Sequence, residues 1–147
     1  MLARPSFTLL YPLRVRWAEC DAQGIVFNVN YFLYFDVAMT EWLRALGLQG
    51  DKTMDFFTVH AEADYKGSAR FDEMLEIGAR CARLGRTSMT IEAAIFRGRD
   101  LLTTGKLIYV HADRDTQAKT PLPEDFIARV MSFEKTAPEM SASGRAG

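Results

Sequence analysis

Cysteine, histidine and charge imbalance are scarce in this chain, and each scarcity closes a class of explanation. The two cysteines, Cys20 and Cys81, stand far apart with no C-x-x-C spacing, so neither a zinc ribbon nor a disulfide framework is indicated. They read as free thiols of a reducing compartment. The two histidines occur as His60-x-Glu62 and His111-x-Asp113. Two-residue spacing on a polar strand face arises easily, so no metal site is expected from them. A formal net charge of −1 supplies no bulk attraction to nucleic acid or to anionic lipid, and neither is expected as a partner. No apolar run reaches signal-peptide or membrane-span length. The expected location is the cytoplasm.

What is present is an ordinary globular composition. Of 147 residues, 48% are hydrophobic and 25% charged, enough for one domain that buries about two-thirds of its unfolded surface. Thr8 to Trp17 predicts a first strand, with Leu13, Val15 and Trp17 alternating against Arg14 and Arg16. Val59, Ala61, Ala63 and Tyr65 alternate with Thr58, His60, Glu62 and Asp64, the pattern of a half-buried strand. Leu75–Ala82, Met89–Ile95 and Leu101–Asp113 alternate in the same way, with a tight turn at Arg97–Asp100 around Gly98 and a candidate bulge at Gly105. Leu122-Pro123-Glu124-Asp125 reads as the start of a short helix to about Phe133. Residues 136–147, rich in Ala, Ser, Gly and Pro, predict a disordered tail after a domain spanning 1–135.

One segment differs from all of these. From Asn30, a residue type that caps helices, to Gly47, a residue type that ends them, runs a helix whose polar residues are Asp36, Thr40, Glu41 and Arg44. They form one narrow stripe. A helix this apolar must be wrapped by other structure, and only five strands are available to wrap it. The fold class is therefore α+β, a curved antiparallel five-stranded sheet around one long central helix. Just before the helix, in a glycine-containing loop, stands a lone carboxylate, Asp21. An acid beside a helix N-terminus has the parts of a small active site: the carboxylate attacks or activates water, and exposed N–H groups stabilise an oxyanion.

The run Asp21-x-x-Gly24-Ile25-Val26-Phe27-x-x-Asn30-Tyr31 resembles the signature of the 4-hydroxybenzoyl-CoA thioesterase group of hotdog-fold proteins. The likeness continues through Tyr34-Phe35-Asp36 and Thr40-Glu41-Trp42-Leu43-Arg44. It returns in Asp64-Tyr65, Ala69-Arg70-Phe71-Asp72, Arg83-Leu84-Gly85-Arg86-Thr87-Ser88 and Leu122-Pro123-Glu124, so that it covers roughly residues 10 to 130. The resemblance implies a hotdog fold and hydrolysis of an acyl-CoA to a free acid and coenzyme A, with no cofactor beyond the coenzyme A of the substrate. It implies a homodimer joined sheet edge to sheet edge, with the sites between subunits and pairs of dimers associating further. Asp21 falls on the family's catalytic aspartate, and the backbone N–H of Asn28 on the group that binds the thioester carbonyl oxygen. Asn28 stands where many members carry His, and Met39 where many carry Arg.

The other candidates follow from the same likeness. Gly24 is expected either to let backbone approach a ligand or to supply a positive φ. Tyr31 is expected at the substrate. Arg83, Arg86, Thr87 and Ser88, in a hairpin turn, are expected to hold coenzyme A phosphates by charge-assisted hydrogen bonds, and Lys66 and Arg70 to assist them. Two competing functions are weaker. A hotdog dehydratase wants a His base, and both histidines lie on strands remote in sequence from Asp21. A non-catalytic thioester-binding protein has no need of an acid at position 21.

Overall fold

The computed structural model describes residues 3–48 and 54–141. Strand β1 (Leu9–Arg14) leads through a 3₁₀ turn at Trp17–Glu19 into helix α1 (Asn30–Ala45). Strands β2 (Phe56–Tyr65), β3 (Met74–Leu84), β4 (Ser88–Arg97) and β5 (Asp100–His111) follow, then helix α2 (Glu124–Phe133) and a two-residue strand β6 (Glu139–Met140). The strand order is β1-β3-β4-β5-β2, all antiparallel, with β6 added in parallel to β3. The sheet thus has six strands where five were expected. The sixth lies inside the segment read as a disordered tail, of which residues 142–147 fall outside the described residues.

Helix α1 lies on one face of this sheet and buries Tyr31, Tyr34, Phe35, Met39 and Trp42. Each such side chain contributes about 1.5–3 kcal/mol. Together they far outweigh the marginal stability of an isolated 16-residue helix. The helix is held by burial. It ends where Gly47 takes φ +82° and donates to the Arg44 carbonyl, while the Leu48 N–H reaches back to Leu43. Its start differs from expectation. Asn30 is the first helical residue rather than the cap, and its side-chain amide donates to the Glu19 carbonyl at 2.8 Å.

Close approach of helix to sheet requires small residues beneath it. Ala79, Ala93, Gly105 and Ala63 sit opposite one another across four strands. A Cβ added at Gly105 would lie 2.5 Å from Phe35 Cε2. Gly105 is therefore a seat for Phe35, not the bulge expected from its position in a strand. The register shifts fall instead between Thr58 and His60, Cys81 and Arg83, and Ile95 and Phe96. On the opposite sheet face Arg80, Glu92, Lys106 and Glu62 form a row of alternating charge.

The two sheet edges are treated differently. Beyond Ala79, β3 has no β1 residue opposite it. The Glu134 carboxylate takes the Cys81 N–H there, and β6 pairs with Arg83 and Leu84. The other edge, β2, stays open, and most of its residues are exposed, including Val59 at 61%. The half-buried strand read from its alternation is uncovered in a single chain. The first strand is also shorter than expected, since Trp17 lies beyond β1 and is 69% exposed.

Candidate active site

The loop between the 3₁₀ turn and α1 folds back on itself. Cys20 bridges Val26, the Asp21 N–H donates to the Ile25 carbonyl at 2.9 Å, and the Gly24 N–H donates to the Asp21 carbonyl at 3.0 Å. Gly24 takes φ +77°, and nothing lies within 4 Å of where its Cβ would be. Of the two expectations for Gly24, the positive φ is the one observed. Asp21 Oδ1 accepts the Gln23 N–H at 2.8 Å, the local turn to which aspartate is suited. Its Oδ2 has no hydrogen-bond partner among the described residues.

Asp21 lines a cleft of about 320 Å³ with Ile25, Val26, Phe27, Asn28, Tyr31, Tyr65, Gly67 and Ser68. The helix entrance forms one wall. The N–H groups of Asn30, Tyr31 and Phe32 close onto the carbonyls of Phe27, Asn28 and Val29 at 2.9, 3.3 and 3.2 Å. Among the described residues the N–H groups of Asn28 and Val29 have no partner. Two unpaired donors at the positive end of a helix favour an anion or a developing oxyanion. Two tyrosines fix this wall. The Tyr65 hydroxyl donates to the Asn28 carbonyl at 3.1 Å, and the Tyr31 hydroxyl accepts the Ala69 N–H at 3.0 Å. Burial pushes the Tyr31 phenol above its ordinary range, so it stays protonated at neutral pH.

The structure therefore brings Asp21, Asn28 and Tyr31 together. Lys66 and Arg70, both exposed, flank Gly67 and Ser68 at the same end of the sheet, where Arg70 bridges Ile25 of the Asp21 loop. Arg83, Arg86, Thr87 and Ser88 are not brought there. They occupy the β3–β4 turn at the far end of β3, a strand of 11 residues that spans about 33 Å. Thr87 is only 3% exposed, and its carbonyl accepts the His111 N–H at 2.8 Å, so it packs beneath the turn.

A family model described as the thioesterase superfamily matches residues 23–104. The chain belongs to this superfamily. Among curated proteins, the acyl-CoA thioester hydrolase YbgC of Escherichia coli is 27% identical over 123 residues, covering 80% of this chain and 92% of that protein. Among solved structures, the PA5185 protein of Pseudomonas aeruginosa matches with a TM-score of 0.81 at 25% identity, covering 92% and 97% of the two chains. A thioesterase of Thermus thermophilus, solved with coenzyme A and zinc, shares the fold with a TM-score of 0.81 at 22% identity, covering 89% and 97%. The enzyme class expected from the sequence, a thioester hydrolase, stands.

Sequence reasoning gave no role in this thioesterase's cleft to Ile25, Val26, Tyr65, Gly67 or Ser68, the last three contributed from the end of β2 and beyond. It also missed Glu19, a buried carboxylate two residues before Asp21. Glu19 accepts the Arg16 N–H and Nε, each at 2.8 Å, the Arg16 Nη2, and the Tyr34 hydroxyl at 2.9 Å. Burial alone pushes this carboxyl up, but the bonds from Arg16 and Tyr34 together outweigh it and hold Glu19 below the usual carboxylate range. The available signal was the Glu-x-Asp spacing, which puts a second carboxylate two residues from Asp21, at the end of the 3₁₀ turn.

Proposed function

We propose that this thioesterase hydrolyses acyl-CoA to a free carboxylic acid and coenzyme A, with Asp21 as the reacting carboxylate and the unpaired N–H groups of Asn28 and Val29 as the oxyanion site. The observation that carries the reading is that Asp21 and Asn28 line one cleft at the positive end of α1. The acyl-CoA named for the Escherichia coli relative supports the substrate class. The motif likeness supports a place near the 4-hydroxybenzoyl-CoA group.

The thioester carbonyl oxygen points at the two N–H groups, which strengthen their hold as negative charge develops on it. The Asp21 carboxylate either takes a proton from the attacking water or attacks the carbonyl carbon itself, giving a mixed anhydride that water then opens. The carbon–sulfur bond breaks and the thiolate leaves, a good leaving group that needs little acid assistance. A catalytic histidine is not required.

The remote position of Arg83, Arg86 and Ser88 fits a homodimer joined through the open β2 edges. Antiparallel pairing of β2 with its copy reverses strand direction, so the partner's β3–β4 turn comes to the Asp21 end. The lateral gap is three to four strand spacings, about 14–19 Å, within reach of an extended pantetheine arm. Phosphates are then held across the interface by the partner's turn, with Lys66 and Arg70 assisting. The same proposal includes association of two such dimers and a cytoplasmic location.

The test is a thiol-release screen over aromatic, short-, medium- and long-chain acyl-CoAs, with Asp21→Asn beside the native enzyme. The variant is expected to lose about 10²–10⁴ in kcat. Turnover by Asp21→Asn at the native rate would remove Asp21 from the mechanism.

A further inference from the structure

Glu19 is 6% exposed, and Tyr34, which donates to it, is fully buried on the inner face of α1. The mechanism uses neither, yet Glu19 joins three parts of the site. Its carboxylate binds Arg16 just after β1 and Tyr34 on α1. Its carbonyl accepts the Phe27 N–H at 3.0 Å and the Asn30 side-chain amide at 2.8 Å, on either side of the Asn28 and Val29 donors. Two residues later comes Asp21, whose side chain is otherwise tied, among the described residues, only by its own local turn.

We infer that Glu19 is the positioning residue of this site: anchored to the Tyr34 hydroxyl and to Arg16, it fixes the segment that carries Asp21 and, through its carbonyl, the helix entrance that presents the Asn28 and Val29 N–H groups. This rests on the hydrolase reading of the Asp21 cleft. Glu19 itself does not touch substrate, because its oxygens are already taken by Arg16 and Tyr34 inside the protein. Its removal acts through misplacement of the two groups that do, and misplacement by about 1 Å costs up to about 10² in rate.

Three variants and two readouts test this. Glu19→Ala is expected to lower kcat by about 10- to 100-fold while KM stays within about twofold, because binding of the coenzyme A moiety elsewhere is untouched. Glu19→Gln keeps an acceptor for the Arg16 N–H and the Tyr34 hydroxyl, and is expected to restore kcat to within about threefold of native. Tyr34→Phe removes only the inner tether and is expected to fall between them. The second readout is amide hydrogen exchange, which needs no substrate. Exchange in residues 20–28 is expected to rise in Glu19→Ala, with β3, β4 and β5 still protected. Native kcat in Glu19→Ala would overturn the inference, as would unchanged exchange in residues 20–28 or a rise spread evenly over the sheet. If Asp21→Asn turns over at the native rate, the catalytic reading falls, and the exchange pattern alone then decides whether Glu19 holds this loop. Should Glu19→Ala not fold, Tyr34→Phe carries both readouts: lowered kcat with local loosening supports the inference, and native behaviour in both overturns it.

Discussion

At the scale of single residues, the two buried carboxylates of the described chain behave in opposite ways. Glu19 is held below the usual carboxylate range, whereas burial pushes Glu134 above it, against the bonds donated by the Cys81 N–H and the Trp42 indole. Glu134 Oε1 is buried with no partner among the described residues, which explains why burial prevails. The linkage signs follow. The depressed Glu19 contributes stability that is lost as pH falls through its folded-state value. The raised Glu134 works the other way: the folded state binds its proton more tightly than the unfolded chain, so its contribution is lost as pH rises from the ordinary value, about 4.3, through the raised one. Glu134→Gln keeps an acceptor for Trp42 and Cys81 and removes the buried charge. Urea midpoints measured from about pH 4 to about pH 7 are expected to favour the Gln variant at the neutral end, with the gap to the native protein closing as the medium is acidified. A variant less stable than native at neutral pH would show that Glu134 is held as a favourable anion.

At the scale of elements, helix and sheet are matched through the row Ala79, Ala93, Gly105 and Ala63. Gly105→Ala places a methyl group where Phe35 already lies, at 2.5 and 2.7 Å from two of its ring carbons. Phe35 is 1% exposed and has nowhere to swing. The expected cost is about 1–3 kcal/mol, a fall of roughly 2–4 °C in Tm for each kcal/mol in a domain of this size. Scanning calorimetry would read it, and an unchanged Tm would mean that α1 rides higher on the sheet than described. Helix α1 and strands β3, β4 and β5 were legible in the sequence because each has one face dominated by the core, and a single buried face imprints its period on the residues. The purpose of Gly105 was not legible. A missing side chain leaves no period, and the demand for one comes from Phe35 on another element. Asp21, Asn28 and Tyr31 were legible as a local motif. Tyr65, Gly67 and Ser68 were not, because only the return of β2 beside the helix entrance brings them to the cleft.

At the scale of the whole molecule, the catalytic candidates and the turn residues Arg83, Arg86 and Ser88 sit at opposite ends of one sheet, so no single chain is expected to offer a complete site. An edge-to-edge dimer resolves this and makes a prediction that a self-contained site does not. Take Asp21→Asn as one protein and the double variant Arg83→Ala, Arg86→Ala as another. Each alone has two defective sites per dimer, and each is expected to lose most of its kcat/KM. Mix them and allow subunits to exchange. Half of the dimers become mixed, and in each mixed dimer one site receives both defects while the other pairs an intact Asp21 with an intact partner turn. Recovery to about a quarter of the native rate is then expected from two-fold symmetry, with light scattering confirming that the dimers have re-formed after their subunits exchange. The assay is run at low substrate, where loss of phosphate contacts is felt. A mixture that shows only the average of its two parents would place every contact to the substrate within one subunit, and the β3–β4 turn would then have no part in holding coenzyme A.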